Sequence, residues 1–223
     1  MSINEEVEEA LLVATLRLEV ETKTIFAKLP FIKDPATALK PNRYLAEKIF
    51  DRQMKVIEIN PEMKADVLKS HAKLEDKGYV MEWSAIPSEY HHRLETIGGP
   101  GYIIPWQIVY KVSSLSTPVR MVMNGSCFTP GGESLNSTLA KGSNSLAHIL
   151  DILISFRTKL CGMTTDIKMA YNGLRLEPEY YKFQTYLWKR DLDLSNPTIL
   201  MVIVTIIYGI KPSGQQTIAA LRM

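Results

Sequence analysis

The stretch TTDIKMAYN, residues 164–172, puts one carboxylate, Asp166, directly after an apolar and threonine-rich run that reads as a buried strand, with Tyr171 five residues further on. A carboxylate at the end of a buried strand is costly unless it is hydrogen-bonded, paired or bound to a cation. Capping the following turn is one answer, and holding a divalent cation is the other. Asp166 alone cannot complete the second role, because magnesium takes an octahedral oxygen shell from one or two carboxylates, phosphates and water. Its neighbours bear on the choice. Ala170 permits a close backbone approach and Tyr171 adds a flat wall, features that suit a sugar and base held beside metal-bound phosphates.

Other residue types offer less. His91 and His92 are adjacent, point in different directions in most local structures and have no further ligand at a usable spacing, so a solvated loop is expected there. Cys127 and Cys161 lie far apart without a CxxC spacing, which argues against a zinc site or a disulfide framework and for a reducing compartment. No GxGxxG or GxxxxGKS loop is present, and GGPG at 98–101 lacks the strand and helix context that would give its glycines a phosphate-binding role. The NGS at Asn124 and NST at Asn136 match the glycosylation acceptor pattern and read as chance matches.

The chain has 223 residues, 46% of them hydrophobic, enough for a packed core. With 26 basic and 24 acidic residues the net charge is +2, which gives no strong global pull toward nucleic acid. The distribution is uneven: Leu139 to Met223 holds ten Lys/Arg against six Asp/Glu, whereas the N-terminus carries Glu5, Glu6, Glu8 and Glu9. That asymmetry permits a polyanion on the C-terminal side. The first residues are acidic where a secretory segment is positive and then apolar. The longest apolar run, Ile199 to Ile207, is about half the length a spanning helix needs, so an intracellular protein without a membrane partner is expected.

Helices and strands around these residues follow from period and punctuation. Residues 4–14 read as helix, and Leu16, Leu18 and Val20 alternate with Arg17 and Glu19 as in a half-buried strand. Three prolines break regular structure across 29–42. One helix is expected from Arg43 to Ile57 and another from Pro61, through Met63, Val67 and Leu74, to a stop at Gly78. YIIPWQIVYKV and PVRMVMN, separated by SSLST, read as a hairpin. Leu146, Ile149, Leu150 and Leu153 mark an amphipathic helix capped by Ser143 or Asn144. Then come the strand carrying Asp166, strands at 181–189 and 198–209, and a Pro/Gly turn leading into a final helix. The order argues for an α+β protein with mixed or antiparallel strands and packed helices.

Several motifs in sequence, TPVRMVMNGS, GGESLNSTLAKGSN, TTDIKMAYNGLRL, YKFQTYLW and IIYGIKPSGQQTIAALR, resemble the reverse transcriptase of Bel/Pao-type LTR retrotransposons. Upstream, KLPFIKDP, LKPNRYLAEKIF, KSHAKLEDKGYV and GYIIPWQIVYK are similar to the segment preceding those motifs, so the resemblance covers roughly Phe26 to Met223. It implies an RNA-directed DNA polymerase, a nucleotidyltransferase encoded by a transposable element as part of a Pol polyprotein. The implied division is a lead segment over 1–35, fingers-side helices and hairpin over 36–160, and a partial palm over 161–223.

The resemblance also implies roles. Asp166 matches the first catalytic aspartate, with the Ile167 carbonyl completing part of the shell of Mg²⁺ or Mn²⁺ in the intact enzyme. Tyr171 matches the aromatic that excludes a ribose 2′-hydroxyl by clash, beside Ala170. Arg120 matches the fingers arginine on the incoming triphosphate, where a guanidinium fork suits phosphate oxygens, and Lys111 is its companion or a solvated edge lysine. In the turn GIKPSG, Gly209 allows close backbone approach and Lys211 reaches a phosphate, while Gly214, Gln215 and Gln216 face the template. The implied partners are RNA/DNA primer-template, dNTPs and the remainder of the Pol polyprotein, in a cytoplasmic virus-like particle or in the nucleus.

Two departures qualify this. The family's aromatic-x-Asp-Asp turn is expected after the PSGQQTIAALR helix, the sequence reaches only Met223, and it contains no adjacent Asp-Asp pair. A fragment inactive alone and unable to hold metal tightly is therefore expected, with an open edge on strand 198–209. Asn124 stands where the related motif usually has aspartate. A non-catalytic remnant or a co-opted nucleic-acid- or protein-binding module is the alternative, and a scaffold without a nucleic-acid role a third reading.

Overall fold

The computed structural model describes residues 3–94, 100–111, 118–143 and 146–223. The chain opens with α1 (Ile3–Ala14), followed by an antiparallel pair, β1 (Leu16–Glu19) and β2 (Thr24–Ala27), in which Leu16 lies opposite Ala27. Leu18 is 44% exposed despite its place in the alternation, because β1 is the outer strand of its sheet and has a neighbour on one side only. Within the proline-rich segment one short helix forms, α2 (Pro35–Ala38), where Asp34 accepts a hydrogen bond from the Ala36 N–H at 3.0 Å and Pro35 takes the first helical position.

The next two helices have the expected bounds within a residue or two. In α3 (Arg43–Glu58), Ala46, Phe50, Met54 and Ile57 recur on one face and are all buried. α4 (Pro61–Asp76) starts where the Asn60 side chain accepts from the Met63 N–H at 3.0 Å, and the chain leaves it through Gly78 at φ +62°. β3 (Val80–Glu82) and the short α5 (His91–Leu94) follow. The hairpin is β4 (Trp106–Tyr110) with β5 (Val119–Met123), Trp106 opposite Met123; its expected loop, SSLST at 113–117, lies outside the described residues.

The C-terminal half departs more from expectation. α6 (Ile149–Arg157) begins after His148 with no side-chain cap; the Ser143 hydroxyl donates to Glu9 instead, and Asn144 lies outside the described residues. No residue of α6 is buried. Among the described residues the strand expected to carry Asp166 does not form, and the one expected at 181–189 is shortened. The first has no partner strand, and β propensity without a ladder leaves main-chain groups to water. The second begins with Pro178 in a 3₁₀ turn, Pro178–Phe183, so β7 covers only Thr185–Lys189. β6 (Leu174–Leu176) precedes that turn, and β8 (Thr198–Ile203) and α7 (Ser213–Ala220) complete the chain.

Among the described residues three sheets form, ordered β1-β2-β6, β3-β8-β7 and β4-β5. β2 and β6 are parallel, with Ile25 beside Leu174, and the remaining pairs are antiparallel. β8 is the central strand of its sheet, so the open edge expected there is closed on both sides by β3 and β7. Beyond it the chain continues beside β6, where the Leu176 N–H donates to Val204 O at 2.9 Å and the Ile206 N–H to Leu174 O at 3.0 Å. β4 reaches β7 through the Trp106 indole N–H on Leu187 O at 2.9 Å, and Trp106 lies between Phe50 and Trp188 at ring-centroid distances of 5.9 and 5.7 Å. The molecule is an α+β protein whose core lies where α3, α4, β4 and the central sheet meet. No helix among the described residues is long and apolar enough to cross a membrane.

Candidate functional site

β5 leads into the site. Val119 and Met123 are buried, whereas Arg120 is exposed, so its guanidinium faces solvent from a strand held by β4. Lys111, just past β4, is exposed too, and its N–H donates to Pro118 O at 2.7 Å. At the far end of β5 the Asn124 N–H donates to Pro105 O at 2.7 Å, and the chain turns through Gly125.

The 209–214 turn lies directly against this end of β5. Gly209 has φ +92°, and a Cβ there would sit 1.8 Å from Met123 O, so no side chain fits. The expected close backbone approach at Gly209 thus exists toward the protein's own strand. Lys211 is similarly occupied, with its ammonium donating to Leu139 O at 2.7 Å and its backbone N–H to Asn136 Oδ1 at 2.8 Å.

Tyr171 sits in a 3₁₀ turn, Ala170–Gly173, entered through Met169 at φ +55°. Its ring packs on that of Tyr208, with centroids 4.3 Å apart and planes at 57°. A Cβ on Gly214 would stand 3.6 Å from the Tyr171 hydroxyl oxygen, and Asn172 donates through Nδ2 to Thr205 Oγ1 at 3.0 Å. Tyr208 remains 55% exposed, so the pair forms one aromatic wall open on its outer side.

The two glutamines of α7 behave differently from one another. Gln216 is fully buried and donates through Nε2 to Thr15 Oγ1 at 3.0 Å and Lys28 O at 2.7 Å, which ties α7 to the N-terminal segment and keeps the side chain from a template, while its Oε1 is buried without a partner among the described residues. Gln215 is half-buried beside Gly142 and Leu12, and among the described residues its Oε1 is buried without a partner.

Asp166 and Ile167 stand apart. Both are exposed, Ile167 at 49%, in an irregular segment that joins no helix or strand among the described residues. The strand expected to bury Asp166 does not form, so its carboxylate keeps its hydration and the burial cost argued from the sequence falls away. Among the described residues no three His, Cys, Asp or Glu side chains gather as a metal site. One solvated carboxylate and a carbonyl do not fit a two-metal centre.

The structure therefore brings together Tyr171, Gly209, Lys211 and Gly214 beside the end of the Arg120 strand, and leaves Asp166 and Ile167 outside that group. Two residues passed over in the sequence belong to it: Tyr208, whose signal was its place directly before Gly209, and Asn136, whose NST read as a chance match. The chain matches no protein-family model and no curated protein.

Proposed function

We propose that the chain is the fingers and incomplete palm of a Bel/Pao-type reverse transcriptase, the part of a longer Pol polyprotein that holds RNA/DNA primer-template and an incoming dNTP. The observation that carries this reading is the meeting of three motifs far apart in sequence: RMVMN ends against Gly209, and Tyr171 of AYN packs on Tyr208 of YGIKPSG at 4.3 Å. In this reading Arg120 takes the triphosphate, since Lys211 is engaged with Leu139 O, and the Tyr171–Tyr208 wall meets the sugar. A 2′-hydroxyl would clash there, so discrimination comes from repulsion. Nucleotidyl transfer belongs to a longer polypeptide that supplies carboxylates to join Asp166.

The isolation of Asp166 favours a second reading, a nucleic-acid-binding module without catalysis. The test compares the 223 residues with a form extended through an aromatic-x-Asp-Asp turn, assaying Mg²⁺- or Mn²⁺-dependent dNTP incorporation on a primed RNA template. The expected result is incorporation by the extended form that Asp166→Asn abolishes. Incorporation that survives Asp166→Asn overturns the role of Asp166, and primer-template binding with no incorporation selects the second reading.

A further inference from the structure

Asn136 joins three segments through one amide. Its Nδ2 donates to Ser126 Oγ and to Gly209 O, each at 2.9 Å. Its Oδ1 accepts from the Lys211 N–H at 2.8 Å. The Asn136 backbone N–H also donates to Gly125 O at 2.8 Å. Both amide protons and the carbonyl oxygen are therefore in use, across a sequence separation of more than seventy residues on the Gly209 side.

The packing leaves little slack. A Cβ on Gly125 would lie 2.7 Å from Gly209 O and 2.8 Å from Asn136 Oδ1, and one on Gly209 would strike Met123 O. A second tie, from the Lys211 ammonium to Leu139 O, holds the same loop to the same turn. Only an amide presents donors and an acceptor from one rigid plane at this length. Aspartate keeps the acceptor for Lys211 but loses both donors and sets a charge against the Gly209 carbonyl and Ser126.

The joined segments are the ones that matter to the reading above. Ser126 and Gly125 continue directly from β5, which carries Arg120. Gly209 and Lys211 continue directly from Tyr208, which backs Tyr171. The Asn136 amide thus fixes the spacing between the exposed guanidinium and the aromatic wall. We propose that Asn136 is a positioning residue for deoxynucleoside triphosphate binding, clasping the phosphate-facing strand to the sugar-facing turn. The proposal rests on the polymerase reading for its ligand, and on the hydrogen bonds for its geometry.

The test uses the form extended through an aromatic-x-Asp-Asp turn, saturated with a primed RNA template, with Mg-dATP as the titrant, and measures Lys211 amide exchange alongside. With two bridging bonds to the turn lost, Asn136→Ala is expected to weaken dATP binding by about tenfold and to speed Lys211 exchange by a similar factor, while duplex affinity stays within about twofold. Asn136→Asp is expected to weaken dATP binding as well, since Gly209 O loses its donor. A wild-type chain that binds no dATP overturns the proposal together with the polymerase reading. Binding by the wild type that Asn136→Ala leaves unchanged overturns the proposal alone, as does a parallel loss of dATP and duplex affinity, which marks a general structural role.

Discussion

His71 makes the fold sensitive to mild acid. It lies on α4, only 2% exposed, stacked on Trp188 with ring centroids 3.8 Å apart and planes at 8°. Its Nε2 is 2.7 Å from the Tyr186 hydroxyl and its Nδ1 3.2 Å from Glu75, which in turn meets Arg190 at 3.2 Å. Burial pushes the His71 pKa from 6.5 down to about 4; Glu75 pulls the other way and Arg190 adds to the depression. Between those values the unfolded chain binds a proton that the folded chain excludes, so stability is complete above pH 6.5 and falls as the pH drops toward 4. At 1.36 kcal/mol per pH unit the loss is about 2 kcal/mol at pH 5 and about 3 kcal/mol near pH 4. That is a large share of the roughly 5–15 kcal/mol of a typical domain. Carboxylates whose pKa is lowered by partners, such as Glu82 and Glu133, lose their contribution only below the ordinary carboxylate value of 4.5, beneath the range in which the His71 contribution begins to fall. Urea unfolding at pH 7.5, 6 and 5 is expected to show the midpoint falling through this window at constant m-value. His71→Phe keeps a ring on Trp188 and is expected to flatten that slope. A wild-type midpoint that does not move between pH 7.5 and 5, or a slope that survives in His71→Phe, refutes the reasoning.

Three further outcomes are expected. Gly209→Ala combines φ +92° with a 1.8 Å contact to Met123 O, so the turn must shift; thermal denaturation is expected to show a loss of about 3 kcal/mol or more, and an unchanged Tm would remove the claim that the turn abuts β5. Tyr171→Ala in an extended, active form is expected to lower the preference for dNTP over rNTP by about tenfold or more, measured as the ratio of incorporation rates, whereas an unchanged ratio assigns Tyr171 to packing alone. α6 exposes Ile149 at 64%, Leu150 at 55%, Leu153 at 52% and Ile154 at 54%, and static light scattering is expected to show self-association that Leu153→Glu reduces; a clean wild-type monomer would contradict this.

The parts of the fold that could be read from the sequence are those specified locally. α3 and α4 were legible because their buried faces repeat at the helical period and because Asn60, Pro61 and Gly78 mark where α4 starts and stops. β2, β3 and β6 were not, because strands of three or four residues are too short to show a period, and their existence depends on partners such as Leu174 beside Ile25 and Ile203 beside Val80. The 161–167 run shows the converse: its composition favours a strand, but no ladder is available, and the backbone stays irregular. In the site, Gly209 was legible as a close approach, although its neighbour is Met123 rather than a ligand. Lys211 and Gln216 look available to a ligand by sequence alone, which does not reveal that Leu139 O, Thr15 and Lys28 already engage them. Asn136 was missed because its role exists only across the Gly209 turn.

These differences move the weight of the functional reading. From the sequence, Asp166 carried it, since a buried carboxylate demands a partner or a cation. In the structure Asp166 is solvated, its cost is small, and its presence no longer calls for an explanation by itself. Tyr171, by contrast, is held by Tyr208 beside Gly214, and the turn that follows Tyr208 is fixed by three hydrogen bonds, from and to the Asn136 amide and onto Leu139 O, and by Gly209, where no side chain fits. In the proposed reading, so constrained a surface around an open aromatic wall suits recognition ahead of any bond-making step. Selective binding of a deoxynucleotide, with the Asn136 amide as control, is therefore the first test of the proposed function, and turnover the second.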